Sequence, residues 1–462
     1  MSSKLAIFGG TSVRSTDRPL EDRWPETRQD DMEAVHRIFE SGEFVGIHSL
    51  EVEEFEKEYA RYVSAEYALA LGSGTASLHA AVVAAGCQPG DEVIIPALTF
   101  VASANAVLHQ VCIPVFADID PRTYNIDPLL IEEKISPRTR AIMAVDLHGL
   151  PADYDALCII AKKHGLVIIG DAAHAMGASY KGKKVGSLAD ITGASIMPAK
   201  QLATCGEGGM FSTNHLDYYN RASMIRMFGE VIQKGQPRAY NSYTLGYNYR
   251  INPVQAAYGR SQLRRLDEYA SLFEANGTYL ADGLKELKGI EPPYIPEGCT
   301  HVYHMFRMKF DPGAAGLSIE AGRFAQAVQD AMTAEGLPLR FYQNAPVPGQ
   351  TIFRSKEGFG GGIPWSLPGA REINYNIEDY PVTLDTLDTT RCIGLSGTSG
   401  PNYFRNRKTM DLYLEGFRKL WENLPLLAEY SKKIDYQPPW TFAAPSTRGV
   451  WTVITPGMAS GG

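Results

Sequence analysis

Val167-Ile-Ile-Gly-Asp-Ala-Ala-His174 is the stretch of sequence that decides the fold. Its apolar part, Leu166 to Gly170, predicts a buried strand, so Asp171 follows at the carboxyl end of that strand. Open α/β sheets bind their ligands at the carboxyl ends of their strands. The pattern therefore predicts an exposed carboxylate that faces a ligand, although a lone aspartate at this place is often only the N-cap of the next helix.

Strands and helices alternate on both sides of this stretch, which predicts an α/β fold with a mostly parallel sheet sandwiched by helices. The predicted strands run from Tyr67 to Leu71, Glu92 to Pro96, Pro114 to Ala117, Ala141 to Val145, Leu166 to Gly170 and Ile191 to Met197. The predicted helices between them run from Ala76 to Ala85, Ser103 to His109 and Asp155 to His164.

A smaller α+β domain is predicted after two long helical patterns, Pro253 to Arg265 and Leu266 to Leu287. Its predicted elements are a strand from Val302 to Phe310 and helices from Glu320 to Glu335 and Thr409 to Glu422, with a loop at Gly358 to Gly362. The chain is thus divided into an N-terminal segment (1–44), a large domain (45–288), a small domain (289–430) and a tail without an assigned role (431–462).

The composition is that of an ordinary globular protein of 462 residues. A net charge of -8 without any block of Lys or Arg argues against a nucleic-acid surface. The six cysteines occur singly, which predicts reduced core thiols with no disulfide and no zinc or other metal site. The longest apolar stretch, Val93 to Ala117, is interrupted by prolines and polar residues, so it is not a membrane span. The apolar run that ends at Gly9-Gly10 is too short for a signal peptide, so we expect a cytoplasmic enzyme.

A lysine closes the run Gly193-Ala-Ser-Ile-Met-Pro-Ala-Lys200. A lysine amine can hold an aldehyde cofactor as a Schiff base and then move the proton that the cofactor has made acidic. An acidic partner must keep the pyridine nitrogen of such a cofactor protonated, and Asp171 suits that role. A lone lysine is more often a solvated surface charge, so the prediction of pyridoxal 5'-phosphate depends on Lys200 and Asp171 together.

Other residues suit the rest of that cofactor. Gly72-Ser-Gly-Thr-Ala76 lies between a strand and a helix, where backbone N–H groups, the helix N-terminus and the Thr75 hydroxyl can hold one phosphate, although a simple tight turn explains the motif equally well. Phe100 is placed to cover the pyridine ring, with core packing as its alternative. His174 is placed to reach the ring or its 3-hydroxyl, and Ser195 to reach the phosphate.

Together these motifs resemble those of the DegT/DnrJ/EryC1/StrS aminotransferases. The matching series is Gly72-Ser-Gly-Thr-Ala76, Pro96-Ala-Leu-Thr-Phe100, Gly170-Asp-Ala-Ala-His174, Ser195 to Lys200, Gly206-Glu-Gly-Gly209 and Leu245-Gly-Tyr-Asn-Tyr-Arg250, in order and spacing across about residues 30 to 430. Each motif is weak alone, whereas their joint occurrence is highly specific.

The resemblance implies fold type I of the pyridoxal phosphate enzymes and a homodimer with active sites at the interface. It implies amination of a ketone on a sugar or cyclitol, with L-glutamate or L-glutamine as the donor. The implied roles are Schiff-base lysine and proton shuttle for Lys200, partner of the pyridine nitrogen for Asp171, ring contacts for Phe100 and His174, phosphate contacts for Ser73, Gly74, Thr75 and Ser195, and a phosphate contact from the neighbouring subunit for Asn248. Arg250 is either a contact to a substrate carboxylate or phosphate, or a surface cation.

Three departures from the family pattern affect the substrate side. Ala194-Ser-Ile196 stands where the family often has Phe-Ser-Phe, and the segment from Lys200 to Glu207, which contains Cys205, is one residue longer than usual. Val145-Asp-Leu-His-Gly149 replaces the commoner Val-His-Leu-Tyr-Gly, which puts Asp146 and His148 where substrate contacts are expected to differ.

Three alternatives remain beside a sugar or cyclitol aminotransferase. Family members that dehydrate deoxysugars have histidine in place of the lysine, so Lys200 argues against that chemistry. A non-catalytic regulator would not need both Asp171 and Lys200. An aminohydroxybenzoate-synthase-like enzyme shares all the motifs, while Leu5 to Gly10 and Phe306 to Asp311 most resemble the branch that uses glutamine on cyclitols.

Overall fold

The structure is a computed structural model that describes residues 4–15, 24–233, 235–394 and 401–443. Residues 1–3 and 16–23 of the predicted N-terminal segment and residues 444–462 of the predicted tail lie outside the described residues. The strands are β1 (Tyr67–Leu71), β2 (Glu92–Pro96), β3 (Ile113–Ala117), β4 (Thr139–Val145), β5 (Val167–Asp171), β6 (Ser179–Tyr180), β7 (Lys183–Lys184), β8 (Ile191–Ser195), β9 (Gly209–Thr213), β10 (Ile290–Glu291), β11 (Phe306–Phe310) and β12 (Thr390–Ile393).

The helices surround two of the sheets that these strands form. They are α1 (Gln29–Ser41), α2 (Leu50–Val63), α3 (Gly74–Ala84), α4 (Val101–His109), α5 (Tyr154–His164), α6 (Leu216–Arg226), α7 (Pro253–Leu263), α8 (Leu266–Lys285), α9 (Ala321–Ala334), α10 (Thr351–Ser355), α11 (Pro381–Thr389), α12 (Arg407–Trp421) and α13 (Leu424–Ser431).

The main sheet has the strand order β1-β9-β8-β5-β4-β2-β3. Strands β8, β5, β4, β2 and β3 pair in parallel, and β9 is antiparallel to both β8 and β1. Alternate residues of β2 face opposite sides: Val93 and Ile95 pack with α3 and α4, whereas Ile94 packs with α5. The expectation of a mostly parallel sheet between helices is confirmed, and β9 is the strand of this main sheet that the sequence did not predict.

Helix α3 approaches the sheet closely because its sheet-facing residues are small. Ser73 caps the helix by accepting a hydrogen bond from the N–H of Ala76 at 3.1 Å. In β8, a Cβ atom on Gly193 would lie 2.9 Å from the Leu78 side chain. Glycine in the strand and alanines in the helix therefore allow the N-terminus of α3 to lie beside the end of β8.

A second sheet, in the order β10-β11-β12, is antiparallel and packs against α9 and α11. Phe310 of this sheet also contacts Phe417 of α12. Its core includes Phe306, Phe310, Phe324 and Phe417. The predicted strand from Val302 to Phe310 begins only at Phe306, since residues 302–305 form an irregular buried segment. The predicted domain boundary at residues 288/289 stays a prediction.

Residues 347–380, here called the covering segment, lie over the edge strand β3 of the main sheet. Phe353 and Tyr375 of this segment pack edge-on against Phe116, with ring centroids 5.2 and 5.5 Å from that ring. The Tyr375 hydroxyl donates to the carbonyl oxygen of Pro114 at 2.8 Å. The edge strand β3 is therefore covered by residues that follow β11 in the sequence.

All six cysteines are free thiols, and Cys158 and Cys205 are exposed. The expectation that the cysteines are core thiols is wrong for these two, because Cys158 lies on the outer face of α5 and Cys205 on the loop after Lys200. No helix in the described part of the chain is long and apolar enough to cross a membrane.

Candidate active site

Asp171 is the last residue of β5 and lies at the carboxyl edge of the main sheet. Its side chain is buried rather than exposed, because helix α4 covers it, and the Ser103 hydroxyl donates to Oδ2 at 2.8 Å. Burial raises the pKa of Asp171, whereas the bonds from Ser103 and from the N–H of Ala173, together with the charge of Lys200, lower it. The result is a buried carboxylate that a nearby cation would stabilise.

Lys200 follows β8 after a turn in which its backbone N–H donates to the carbonyl of Met197 at 2.9 Å. The indole N–H of Trp24 donates to the Lys200 carbonyl oxygen at 3.1 Å. Burial lowers the pKa of the Lys200 amine to about 8, against the opposing charges of Asp171 and Glu207. Among the described residues none bonds to its Nζ, and with this pKa about a tenth of the amine is neutral and nucleophilic at pH 7.

The predicted phosphate residues lie together where the N-terminus of α3 meets the end of β8. A Cβ atom on Gly74 would lie 2.5 Å from the Cβ of Ser195, so only glycine fits at this position. Ser73 uses its side-chain oxygen as the helix cap, while Thr75 lies in the first turn. The free N–H groups and the dipole of this helix end favour an anion.

His174 is buried, and its Nε2 lies 3.1 Å from the Tyr342 hydroxyl. Its ring stacks on that of His304, with centroids 4.2 Å apart. Burial first, and then the charge of Lys200, lowers the pKa of His174 well below its ordinary value, so the imidazole is neutral. Tyr342 lies 168 positions along the chain from His174, and no local pattern predicts their contact.

Phe100 is 58% exposed and occupies the N-cap position of α4. It is therefore not a core residue, and its ring has a free face at the same sheet edge as Asp171. Ser103, one helical turn further along, is a site residue that sequence reasoning missed. Its signal is its spacing from Phe100, which puts both residues in the first turn of the helix that follows β2.

Asn248 and Arg250 lie on a segment that runs beside the phosphate loop of the same chain. The N–H of Gly72 donates to the carbonyl of Tyr249 at 2.7 Å, and Asn248 itself is exposed. Arg250 is partly buried, with its guanidinium 5.2 Å from the centroid of the Phe228 ring. The Asn248 side chain is thus free to meet a second molecule, whereas Arg250 is held by its own chain.

Asp146 and His148, the departures expected on the substrate side, are both buried. Asp146 accepts from the N–H of Ala152 at 2.9 Å and from the Tyr154 hydroxyl at 3.1 Å, and burial raises its pKa to about 8. It therefore stabilises the turn after β4 and is removed from any substrate. His148 instead contacts His174 through its backbone N–H, at 3.4 Å from Nδ1.

A family model described as the DegT/DnrJ/EryC1/StrS aminotransferase family matches residues 25–377. GDP-perosamine synthase of Caulobacter vibrioides is 41% identical over 261 residues, which are 56% of this chain and 69% of that protein. L-glutamine:2-deoxy-scyllo-inosose aminotransferase of Streptoalloteichus tenebrarius is 35% identical over 354 residues, which are 73% of this chain and 81% of that protein.

The fold agrees with that of solved aminotransferases. The crystal structure of DesV from S. venezuelae, in complex with a ketimine intermediate, superposes with a TM-score of 0.70 and 27% identity, and the match covers 88% of this chain and 95% of that one. The family match spans both the carboxyl edge that carries Asp171 and the loop that carries Lys200. On these grounds the chain belongs to the DegT/DnrJ/EryC1/StrS aminotransferase family.

Proposed function

We propose that this protein is a pyridoxal phosphate-dependent aminotransferase that moves an amino group from L-glutamate or L-glutamine to a keto-sugar or keto-cyclitol. The observation that carries the proposal is the meeting of three features at one sheet edge. These are the buried Asp171 carboxylate, the Lys200 amine with its lowered pKa, and the anion-favouring N-terminus of α3. The names of two similar proteins support the acceptor class, since one names an inosose as the acceptor and the other names GDP-perosamine as its product.

The residues present fit the proposed cofactor. Gly74 lets the first turn of α3 pack directly on Ser195, since a Cβ atom there would lie 2.5 Å from the Ser195 Cβ. This brings the Ser195 hydroxyl beside the N–H groups of the helix end, which suits a phosphate. Asp171 is a buried carboxylate suited to a protonated ring nitrogen, and the exposed ring of Phe100 suits a flat partner. When bound, pyridoxal phosphate would supply an electron sink for the carbon that loses its proton.

In this proposal Lys200 is both the attachment point and the group that moves the proton. Its pKa of about 8 leaves it able to accept a proton from the α-carbon of the donor and to return one to the acceptor. Asp171 holds a proton on the ring nitrogen, and the Ser103 hydroxyl keeps the carboxylate oriented. Phe100 would cover one face of the ring and exclude water from it.

The visible spectrum of the purified protein tests this proposal. With pyridoxal phosphate added, we expect the visible absorption band of a lysine-bound cofactor, which is lost when the correct donor is added. L-Glutamine and L-glutamate are added separately, and the donor that removes the band is the amino donor. Lys183→Ala, a change at an exposed lysine of β7, is the matched control and should behave as the wild type.

Each negative result has a defined meaning. A protein that gives no band with pyridoxal phosphate would contradict the cofactor, and a band that neither donor changes would contradict amino transfer from these donors. The acceptor is then identified by offering the amine-loaded protein a keto-cyclitol, a nucleotide-linked keto-sugar and a keto precursor of an aminohydroxybenzoate. Recovery of the original band with the aromatic precursor alone would favour the aminohydroxybenzoate-synthase-like alternative.

We further propose a homodimer in which each subunit contributes to the other's site. Large apolar side chains of the N-terminal helices and the loop between them are exposed, as expected of an interface: Met32, Phe39, Phe44, Val45 and Leu50. The exposed side chain of Asn248, beside the phosphate loop, is suited to reach the phosphate of a second copy.

Mixed dimers test this shared arrangement. Lys200→Ala and Asn248→Ala are each expected to be inactive alone, because each dimer then lacks one required group in both sites. After the two variants are unfolded together and refolded, about half of the dimers are mixed and each has one intact site, so about a quarter of the wild-type activity should return. If Asn248 served its own subunit, the mixture would stay inactive.

A further inference from the structure

Four buried histidines lie together beside the candidate site: His148, His174, His301 and His304. No group of residues in the described ranges is arranged to hold a metal ion, so these imidazoles are not metal ligands there. Burial lowers the pKa of each of them, to about 3 for His301, and keeps all four neutral. A neutral imidazole carries one proton, and its hydrogen-bond partners decide which nitrogen carries it.

The partners of His174 define its tautomer. The backbone N–H of His148 lies 3.4 Å from Nδ1, and a backbone N–H can only donate, so Nδ1 is the acceptor. The proton is therefore on Nε2, which donates to the Tyr342 oxygen at 3.1 Å. The hydroxyl proton of Tyr342 must then point elsewhere, and no residue in the described part of the chain accepts it. Burial, followed by the charge of Asp171, raises the pKa of Tyr342, so this hydroxyl keeps its proton.

The His148 backbone is fixed in an orientation that aims its N–H at His174. His148 has a left-handed conformation, with φ 61°, and its carbonyl accepts from the N–H of Met305 at 3.2 Å. Its Nε2 accepts from Nε of Arg307 at 2.8 Å. Arg307 in turn donates to the Thr390 hydroxyl at 2.6 Å and to the Gln343 amide oxygen at 3.1 Å, so it is held at both ends of its guanidinium.

This arrangement leaves one buried ring nitrogen of His148 without a hydrogen-bond partner among the described residues. Because Arg307 donates to Nε2 of His148, the proton of that ring is on Nδ1, and this buried atom has no partner among the described residues. A buried donor without an acceptor costs about 1–3 kcal/mol. Apolar side chains would avoid that cost, so the cluster is better explained by a role in orienting His174 than by stability alone.

We propose that Arg307 and His148 are positioning residues for amino transfer: they hold His174 with its proton on Nε2, which makes the Tyr342 hydroxyl a hydrogen-bond donor to an oxygen atom bound in the site. This inference depends on the proposed function for the identity of that oxygen. The acceptor oxygen belongs either to the ketone of the substrate or to the cofactor. Donation to a ketone oxygen would polarise the carbonyl at which the amine is received.

The tautomer is measured on cofactor-free protein labelled with ¹⁵N-histidine. In the wild type we expect the NMR signals of His174 to show an unprotonated Nδ1 and a protonated Nε2. In Arg307→Met we expect the two tautomers of His174 to be mixed, because the His148 amide is no longer fixed. His148→Gly, which tolerates the left-handed backbone, should give the same mixture and serves if Arg307→Met fails to fold. A His174 proton on Nδ1 in the wild type would overturn the proposal.

Activity gives the second readout. Arg307→Met should lower kcat by about 10–100-fold, the range for partners that orient a functional group, with KM changed less than kcat. Lys309→Met is the matched control, since it removes a cation two residues further along β11 that pairs with Asp385 at 2.7 Å. Lys309→Met should keep the wild-type tautomer of His174 and the wild-type kcat. An Arg307→Met protein with the wild-type tautomer and kcat would likewise overturn the proposal.

Tyr342→Phe distinguishes the two sources of the oxygen. If the oxygen is the ketone of the substrate, only the half-reaction with the acceptor slows, by about 100-fold, and reaction with the amino donor is unchanged. If the oxygen belongs to the cofactor, both half-reactions slow. A variant in which neither half-reaction slows would contradict the donor role of Tyr342. Because the tautomer is read without cofactor, it remains informative even if the proposed function fails.

Discussion

Replacing Lys200 with alanine is expected to abolish amino transfer and lower kcat by at least about 10³-fold, because we propose that the same amine both holds the cofactor and moves the proton. The visible band of the wild type should be absent, since alanine cannot form the covalent link. Stopped-flow mixing with donor measures the first half-reaction, and product assay measures the whole. Added methylamine should restore part of the first half-reaction, because a small amine in the vacated space replaces the missing proton acceptor.

A measurement of stability shows whether Lys200→Ala has lost only its catalytic activity or also its fold. In cofactor-free protein the Lys200 amine is partly buried, and burial lowers its pKa to about 8, so its charged form is less favourable in the folded protein than in the unfolded chain. Lys200→Ala should therefore unfold at the same urea concentration as the wild type or at a higher one. A well-folded Lys200→Ala protein with kcat within about tenfold of the wild type would show that another residue moves the proton.

Replacing Asp171 with asparagine is expected to lower kcat by about 10²–10³-fold, because the amide has nearly the same shape but carries no charge to hold a proton on the ring nitrogen. The Ala173 N–H can still donate to the amide oxygen, and the amide NH2 can donate to the Ser103 oxygen, whose proton then turns to the Thr99 hydroxyl, so the geometry is largely kept. Steady-state kinetics with the donor found from the spectra measure the effect. The cofactor should still bind, and its band should appear at a different wavelength.

The matched control is Asp190→Asn, which changes a carboxylate bonded to the other end of the same strand, where Oδ2 accepts from the N–H of Ile168 at 2.8 Å. It should retain nearly full activity. Burial raises the pKa of Asp171 in the folded, cofactor-free protein, so the protonated carboxyl stabilises the fold at low pH. This contribution to the free energy of unfolding is lost as the pH rises through the raised pKa. Asp171→Asn should then be at least as stable as the wild type at pH 7. Retention of more than about a tenth of kcat would contradict the role of Asp171.

Local apolar pattern was sufficient to predict most of the main sheet. Strands β1 and β2 were predicted from first to last residue, because each is a run of apolar residues between polar turns. Strand β9, Gly-Met-Phe-Ser-Thr, has too little apolar pattern to be recognised, and β12 contains the buried Arg391. Strand β11 starts later than predicted because Tyr303 and His304 are buried by ring stacking outside a strand.

The residues of the candidate site also fall into two groups, those that the order of strands predicts and those that it does not. Asp171, Ser195 and Gly74 adjoin strand ends, so the order of strands predicts that they meet. Ser103, Tyr342 and Arg307 reach the site through contacts that span 68, 168 and 159 positions, respectively, to Asp171, His174 and His148. The Ser103 contact depends on how α4 packs on the main sheet, and the Tyr342 and Arg307 contacts depend on how the chain from β11 onward packs on that sheet. Periodicity and spacing do not encode this packing. The roles of the site residues stay predictions until the variants are measured.

The covering segment has a consequence for how the chain can be divided. A fragment that ends at residue 288, the predicted boundary, would contain all of the main sheet but neither Phe353 nor Tyr375. Strand β3 would then present its backbone N–H and C=O groups and the ring of Phe116 to solvent. A bare strand edge of this kind pairs readily with the same edge of another molecule. A fragment that ends at residue 288 is therefore expected to self-associate more readily than the whole chain.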